Sequence, residues 1–119
     1  MSDSPKCFSV NETEGVSEII LGTADFLTRP IINLAAEEFQ TYIEQNNPKR
    51  VVLNFKNVNH ISSEFITALI RMQEVVTGNE GEMKLSHMNE IVYSPFRLTN
   101  LAGRLFKIYE TTPQAIDAF

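Results

Sequence analysis

The run Val51-Val52-Leu53-Asn54-Phe55 constrains the fold of this 119-residue chain more than any other segment. It is almost continuously apolar and is bounded by turn residues, which is typical of a strand buried on both faces of a sheet. Apolar residues recur at helical spacing on either side of it and predict helices over about residues 30–45 and 64–77. A buried strand between two helices indicates a largely parallel sheet with right-handed crossovers.

The rest of the chain extends this pattern. Alternation over residues 8–12, the turn residues Thr13-Glu14-Gly15 and a second apolar segment over 16–21 predict an N-terminal β-hairpin. Further strands are predicted at 83–88 and 108–109, and a closing helix at 113–119. The fold class is therefore α/β, with a mostly parallel mixed sheet of four to five strands and about four helices.

The connecting segments have weaker patterns. Residues 22–29 and 57–60 are predicted to be loops, and residues 89–93 and 96–106 form a helical region interrupted at Ser94-Pro95. We expect a loose lead-in over residues 1–7 and a single domain over residues 8–119.

Charge and hydropathy narrow the functional classes. The net charge is −5 and the lysines and arginines are scattered, which disfavours direct nucleic-acid binding. No apolar run approaches the roughly 20 residues that span a bilayer, so direct membrane insertion is not expected. The start Met1-Ser2-Asp3-Ser4-Pro5 lacks the basic-then-apolar pattern of a signal peptide, and we expect a cytoplasmic location.

The sequence favours a binding module over an enzyme. Cys7 is the only cysteine and is interpreted as a small residue at the start of a strand; His60 is interpreted as a loop residue and His87 as a strand-face residue. Such isolated residues do not predict a metal site. Neither a Gly-x-Ser-x-Gly elbow, which a hydrolase using Ser63 would need, nor a glycine-rich phosphate loop is present, so no catalytic residue and no cofactor are expected.

The segment Ile61-Ser62-Ser63-Glu64 lies between the buried strand and the second predicted helix. Ser62 or Ser63 is expected at the helix N-cap, where a serine oxygen accepts a hydrogen bond from a free backbone N–H. A helix N-terminus also accommodates a phosphate, because its free N–H groups and its dipole favour negative charge. Ser62 and Ser63 are therefore suited both to capping and to phosphorylation.

Several segments, in order along the chain, resemble the STAS domain family of sulfate transporters and anti-sigma factor antagonists. That family has a buried strand, a short loop and an Asp-Ser-Ser-Gly-Leu or Ile-Ser-Ser-X-Gly-Leu segment that opens a helix. The resemblance spans about residues 8–119 and is carried by these segments: Val51-Val52-Leu53-Asn54-Phe55, Ile61-Ser62-Ser63, Glu82-Met83-Lys84-Leu85, Phe96-Arg97-Leu98-Thr99-Asn100-Leu101 and Gln114-Ala115-Ile116.

The resemblance implies a function as an anti-sigma factor antagonist, which binds an anti-sigma factor with serine kinase activity and is switched by phosphorylation. The resemblance aligns the family's phosphorylated serine with Ser63, and Ser62 is the alternative. We also predict partner binding by Ser62, Ser63, Glu64 and Ile66, because they lie at a strand-to-helix junction that coincides with the family's phosphorylated serine. The other hypothesis is a degenerate scaffold that takes no phosphate, in a stress-signalling complex or as an accessory subunit of a membrane transporter.

Four positions depart from the family pattern. Ser62 replaces the aspartate, Phe65 replaces the glycine, and Glu64 places a negative charge beside the acceptor. The Gly-x-Leu-Asp motif after the second strand has only Asp25 as a loose counterpart.

Because Phe65, Ile66 and Ile70 cannot all point inward from a narrow helix face, they indicate either a partner-docking patch or a wide buried face.

Overall fold

The computed structural model describes residues 7–119 as an α/β fold, with seven strands and four helices within that range. The strands are β1 (Phe8–Thr13), β2 (Val16–Leu21), β3 (Asp25–Phe26), β4 (Arg50–Asn54), β5 (His60–Ile61), β6 (Glu82–Ser86) and β7 (Lys107–Tyr109). The helices are α1 (Arg29–Asn46), α2 (Ser63–Gly78), α3 (Glu90–Leu98) and α4 (Thr112–Asp117).

The main sheet has five strands in the order β1-β2-β4-β6-β7. β1 and β2 are antiparallel and form the predicted hairpin, whereas β2, β4, β6 and β7 pair in parallel. Glu14 and Gly15 form the hairpin turn with φ angles of 52° and 77°. Positive φ at both turn residues matches the right-handed twist of the two strands.

The central strand β4 is buried on both sides, as its apolar run predicts. Val51 and Leu53 point into a large core with α1 and α2, whereas Val52 packs with Val16 and Ala115 beneath the short helix α4. The period-two alternation of a strand separates these two sets of side chains. The sheet therefore has a thick apolar layer on one face and a thinner layer on the other.

The face beneath α4 contains a polar network. Asn54 donates hydrogen bonds to Glu18 and Thr112, and the hydroxyls of Ser86 and Thr112 lie 2.8 Å apart. Burial alone would raise the pKa of Glu18, but hydrogen bonds from Asn54 and Thr112 outweigh burial and hold that pKa below its usual value. This network ties the ends of β4 and β6 to α4.

Both long helices confirm the predicted positions and extend one residue beyond them at each end. The loop predicted over 22–29 contains β3, and the connection before Ser62 contains β5, which pairs with β3. Two-residue strands are too short to show a period in the sequence.

Three details near the C-terminal half correct the sequence interpretation. α3 continues through Pro95, because the Asn89 cap and the burial of Val92 and Phe96 offset the one hydrogen bond that proline removes. The segment after Leu98 is a set of turns rather than a helix. β6 ends at Ser86, so His87 is not a strand-face residue; it has a φ of 60°, and its ring accepts a hydrogen bond from the Thr112 N–H.

Residues 1–6 of the predicted lead-in lie outside the described residues. Cys7 is buried, and its backbone N–H donates to Glu38 over 2.8 Å. Burial, together with the neighbouring Glu38 carboxylate, raises the pKa of the Cys7 thiol to about 11. The thiol is therefore protonated at neutral pH.

Candidate functional site

The loop after β4 leads the chain from the buried sheet to the start of α2. The Lys56 N–H donates to the Asn54 side chain over 2.8 Å, and the Val58 N–H donates to the Phe55 carbonyl over 2.9 Å. Val58 is buried and fixes the middle of the loop to the core. The segment that follows therefore starts from a fixed position at the carboxyl end of β4, where sites form in parallel sheets.

The small β3–β5 sheet places the starts of α1 and α2 side by side. The Asn59 N–H donates to the Ala24 carbonyl over 2.7 Å, and the Ser62 N–H donates to the Phe26 carbonyl over 3.0 Å. β3 leads into α1 within three residues, and β5 leads into α2 within two. The start of α1 consequently lies beside the Ser62-Ser63 segment, where α2 begins.

Ser62 and Ser63 have different environments. Ser62 is the N-cap of α2, and its hydroxyl oxygen accepts a hydrogen bond from the Phe65 N–H at 3.3 Å. Ser63 is the first residue of the helix, is exposed, and its hydroxyl has no hydrogen bond within residues 7–119. The predicted capping function therefore falls on Ser62, which leaves the hydroxyl of Ser63 open to solvent.

Glu64 forms an ion pair with the start of the neighbouring helix. The Arg29 Nε donates to the Glu64 carboxylate over 2.8 Å, and the two side chains are 80% and 50% exposed. The negative charge that the sequence places next to Ser63 is thus balanced by a cation from α1.

Asp25 and His60 form a second exposed pair close to the two serines. They are register partners in the β3–β5 sheet, and the His60 Nδ1 lies 2.8 Å from the Asp25 carboxylate. His60 therefore lies in a short strand rather than in a loop. Asp25 is the loose counterpart of the aspartate in the family's Gly-x-Leu-Asp motif. It lies on β3, beside the strand that leads to Ser62.

The first turns of α2 have a wide buried face. Phe65 is buried, stacks on Phe26 with ring centroids 4.3 Å apart, and meets Phe55 edge-on at 6.4 Å. Ile66 and Ile70 are partly buried and pack against the core. Of the two interpretations of these residues, the structure favours the buried face, and Ile66 presents only part of its side chain.

Two exposed apolar residues on segments that adjoin the small β3–β5 sheet were not identified from the sequence. Leu27 lies between β3 and α1 and is 49% exposed, and Ile91 lies in the first turn of α3 and is 62% exposed. The Asn89 side chain donates to the Val58 carbonyl over 3.2 Å and holds the start of α3 against the loop before β5. Sequence patterns assign apolar residues to the core by default, so only the fold reveals their exposure.

The described part of the chain contains no cluster of three or more side chains that could hold a metal ion. A groove of about 430 Å³ lies between α1 and α2, and Arg29, Glu64 and Arg71 are its charged lining residues. Among the described residues, no helix is both long and apolar enough to cross a membrane. The exposed chemistry beside Ser63 therefore consists of hydroxyls, charged side chains and a few apolar side chains.

Residues 11–115 match the family model of the STAS domain. The chain belongs to the STAS domain family. Its fold, with a mixed five-stranded sheet, is the one that the sequence resemblance implies. No curated protein matches the chain.

Several solved structures share the fold at low sequence identity. The Thermotoga maritima protein TM1081 is 22% identical, with a TM-score of 0.79 over 93% of this chain and 92% of that one. The anti-sigma factor antagonist SpoIIAA in its unphosphorylated form is 18% identical, with a TM-score of 0.73 over 93% and 94%. SpoIIAA of Bacillus in its phosphorylated form is 17% identical, with a TM-score of 0.66 over 93% and 97%.

A transporter also contains this fold. The murine anion transporter Solute Carrier 26 family member A9 is 11% identical, with a TM-score of 0.74 over 91% of this chain but only 18% of that one. The fold is thus found both in antagonists of anti-sigma factors and as a small part of a much longer transporter.

Proposed function

We propose that this chain is a non-catalytic regulatory module in the cytoplasm that binds an anti-sigma factor with serine kinase activity. Binding sequesters the anti-sigma factor and frees a sigma factor for transcription, and phosphorylation of Ser63 ends the interaction. The observation that carries this proposal is the exposed hydroxyl of Ser63 at the start of α2, which makes no hydrogen bond within the described part of the chain. Ser62 is the weaker candidate because its hydroxyl caps the helix.

The kinase supplies the chemistry of the switch. It transfers the γ-phosphoryl group of ATP to the Ser63 Oγ, the hydroxyl loses its proton, and ADP leaves. The product carries about −1.5 to −2 charges near neutral pH. A helix N-terminus tolerates that charge, so the fold survives. A docked partner does not tolerate it unless the partner supplies a cation, because an interface excludes the water that solvates the phosphate.

The docking surface comprises Ser62, Ser63, Glu64 and Ile66, which the sequence predicts to bind the partner, together with an exposed neighbour. Ser62, Ser63 and Glu64 form its polar centre at the start of α2, and the accessible part of Ile66 adds an apolar contact. Leu27 extends this surface towards α1. A specific protein interface combines apolar contacts with polar groups that form hydrogen bonds.

Affinity capture from the native cells tests the proposal. We expect the wild-type chain to recover an anti-sigma factor with a kinase domain, and incubation with that protein and ATP to place phosphate on Ser63. Ser63→Ala should still capture the partner but accept no phosphate, with Ser94→Ala as the matched control. Phosphate on neither Ser62 nor Ser63 would contradict the switch.

The second candidate function is a scaffold or transporter accessory that takes no phosphate. The observation that favours it is the pair of departures at Ser62 and Phe65, together with the presence of the fold in an anion transporter. The same capture experiment separates the two functions. Recovery of a transporter subunit, with Ser63 unmodified, would support this second function.

A further inference from the structure

Arg29 has unused hydrogen-bonding capacity beside Ser63. Only its Nε contacts Glu64, and its side chain makes no other hydrogen bond within the described part of the chain. A guanidinium carries five N–H donors in a planar fork. Four of them are therefore available to a new acceptor at this junction.

The position of Arg29 is fixed by the fold rather than by the ion pair. Arg29 is the first residue of α1, and Ser63 and Glu64 are the first two residues of α2. The bond from the Ser62 N–H to the Phe26 carbonyl holds these two helix starts together. The groove beside them, of about 430 Å³, gives the long arginine side chain room to turn.

We propose that Arg29 exchanges partners at this junction, pairing with Glu64 while Ser63 is a free hydroxyl and binding the phosphate once Ser63 is phosphorylated. This inference rests on the proposed function and adds a regulatory residue to it. The driving force is charge and geometry. A phosphate dianion can accept two parallel N–H bonds from the fork, whereas Glu64 receives a single bond from Nε.

The exchange has a consequence for each state of the switch. Before phosphorylation, Arg29 neutralises Glu64, so the carboxylate does not repel the incoming phosphoryl group. Afterwards, Arg29 holds the phosphate and Glu64 regains an unbalanced charge. The partner-facing surface then becomes negative at both Ser63 and Glu64, where the Arg29–Glu64 pair left no unbalanced charge before phosphorylation.

Phosphoserine installed at position 63 by genetic code expansion tests the exchange without any kinase. The second pKa of the phosphate is measured by phosphorus NMR in the otherwise wild-type chain and in Arg29→Gln, Arg71→Gln and Glu64→Gln. Arg71 lines the same groove but lies about two turns further along α2, so it is the matched control. Asp25 and His60 are present in every variant, so their effect cancels in the comparison.

We expect Arg29→Gln to raise the second pKa of the phosphate by about half a unit, the scale of an exposed ion pair. Arg71→Gln should leave it unchanged, and Arg29→Lys should restore part of the shift because it keeps the charge but not the fork. Glu64→Gln should lower the pKa, because it removes both a competitor for Arg29 and a repelling charge. Equal phosphate pKa values in Arg29→Gln and Arg71→Gln would overturn the exchange.

Failure of the Arg29 exchange can be distinguished from failure of the proposed kinase switch. A normal Arg29 effect on installed phosphoserine, with no phosphate on Ser63 after incubation with the captured partner and ATP, would refute the kinase switch but not the exchange. Phosphorylation by the partner without any Arg29 effect would refute only the exchange. Arg29 is highly exposed, and melting curves of each variant verify that the fold is intact.

Discussion

The rings of Phe26 and Phe65 stack 4.3 Å apart and join the strand before α1 to the first turn of α2. Phe65, which the sequence resemblance aligns with the family's glycine, has a fully buried side chain. In this chain, the core beneath the serines is therefore filled by an aromatic pair. The pair fixes the two helix starts on which the candidate site depends.

Removal of the Phe65 ring should destabilise the fold strongly. We expect Phe65→Ala to lower the free energy of unfolding by about 3–5 kcal/mol, because it leaves a cavity against Phe26 and Phe55. Phe65→Leu, which retains more of the volume, should cost less. Urea unfolding measures both, and a loss below about 1 kcal/mol in Phe65→Ala would show that the stack contributes little.

Substitution of Ser62 and substitution of Ser63 should have different effects on the free energy of unfolding. Ser62→Ala removes the cap bond to the Phe65 N–H and should lower the free energy of unfolding by about 0.5–2 kcal/mol. Ser63→Ala removes an exposed hydroxyl that has no hydrogen bond to any residue in the range 7–119, and it should change the free energy of unfolding by no more than about 0.5 kcal/mol. The two variants serve as controls for each other in the same melting experiment. A larger loss in Ser63→Ala would contradict the assignment of the cap.

The pH dependence of stability should contain a contribution from Glu18. Its folded-state pKa lies below the usual value, so the stabilisation is present above the unfolded-state pKa of about 4.3 and is lost as the pH falls through the folded-state pKa. Glu18→Gln should therefore be less stable than wild type at pH 7, by less than about 1 kcal/mol, and equal to it in acid.

The exposed Glu37 on α1 provides the control for this substitution, since it has no hydrogen bond or ion pair among the described residues. Glu37→Gln should have the same free energy of unfolding as wild type at pH 7, to within about 0.5 kcal/mol. If Glu18→Gln still has a lower free energy of unfolding than wild type at low pH, then side-chain packing, rather than charge, stabilises the network.

Cys7 should be unreactive in the native protein. Burial and the Glu38 carboxylate raise the pKa of its thiol to about 11, so the reactive thiolate is scarce at pH 8. Alkylation by iodoacetamide should be at least about a hundredfold slower in the folded chain than in denaturant. Equal rates in both conditions would show that the thiol is accessible and ionised.

The long elements of this fold are predictable from sequence because their apolar periods persist over many residues. α1 and α2 are of this kind; β4, whose run is almost continuously apolar, is predictable as well, and so is the position of Ser62 and Ser63 at a strand-to-helix junction. The strands β3 and β5 are not, because two residues cannot show a period. α3 is predicted only as a helical region interrupted at Ser94-Pro95, since proline normally marks a helix boundary.

The chemistry around the serines depends on contacts that local patterns do not encode. Arg29 and Glu64 are separated by 35 positions, and so are Asp25 and His60. Only the pairing of β3 with β5 brings these groups together. The sequence therefore indicates which serines matter, whereas the fold supplies the charged residues that surround them.

The affinity of the captured anti-sigma factor for wild type, Ser63→Ala and Ser63→Asp tests the proposed switch most directly. We predict that Ser63→Ala binds like wild type and that Ser63→Asp binds at least about tenfold more weakly, because a charge in a docked interface loses its solvation. Melting curves should keep Ser63→Asp within about 1 kcal/mol of wild type. Equal affinity for all three proteins would contradict a phosphorylation switch at Ser63.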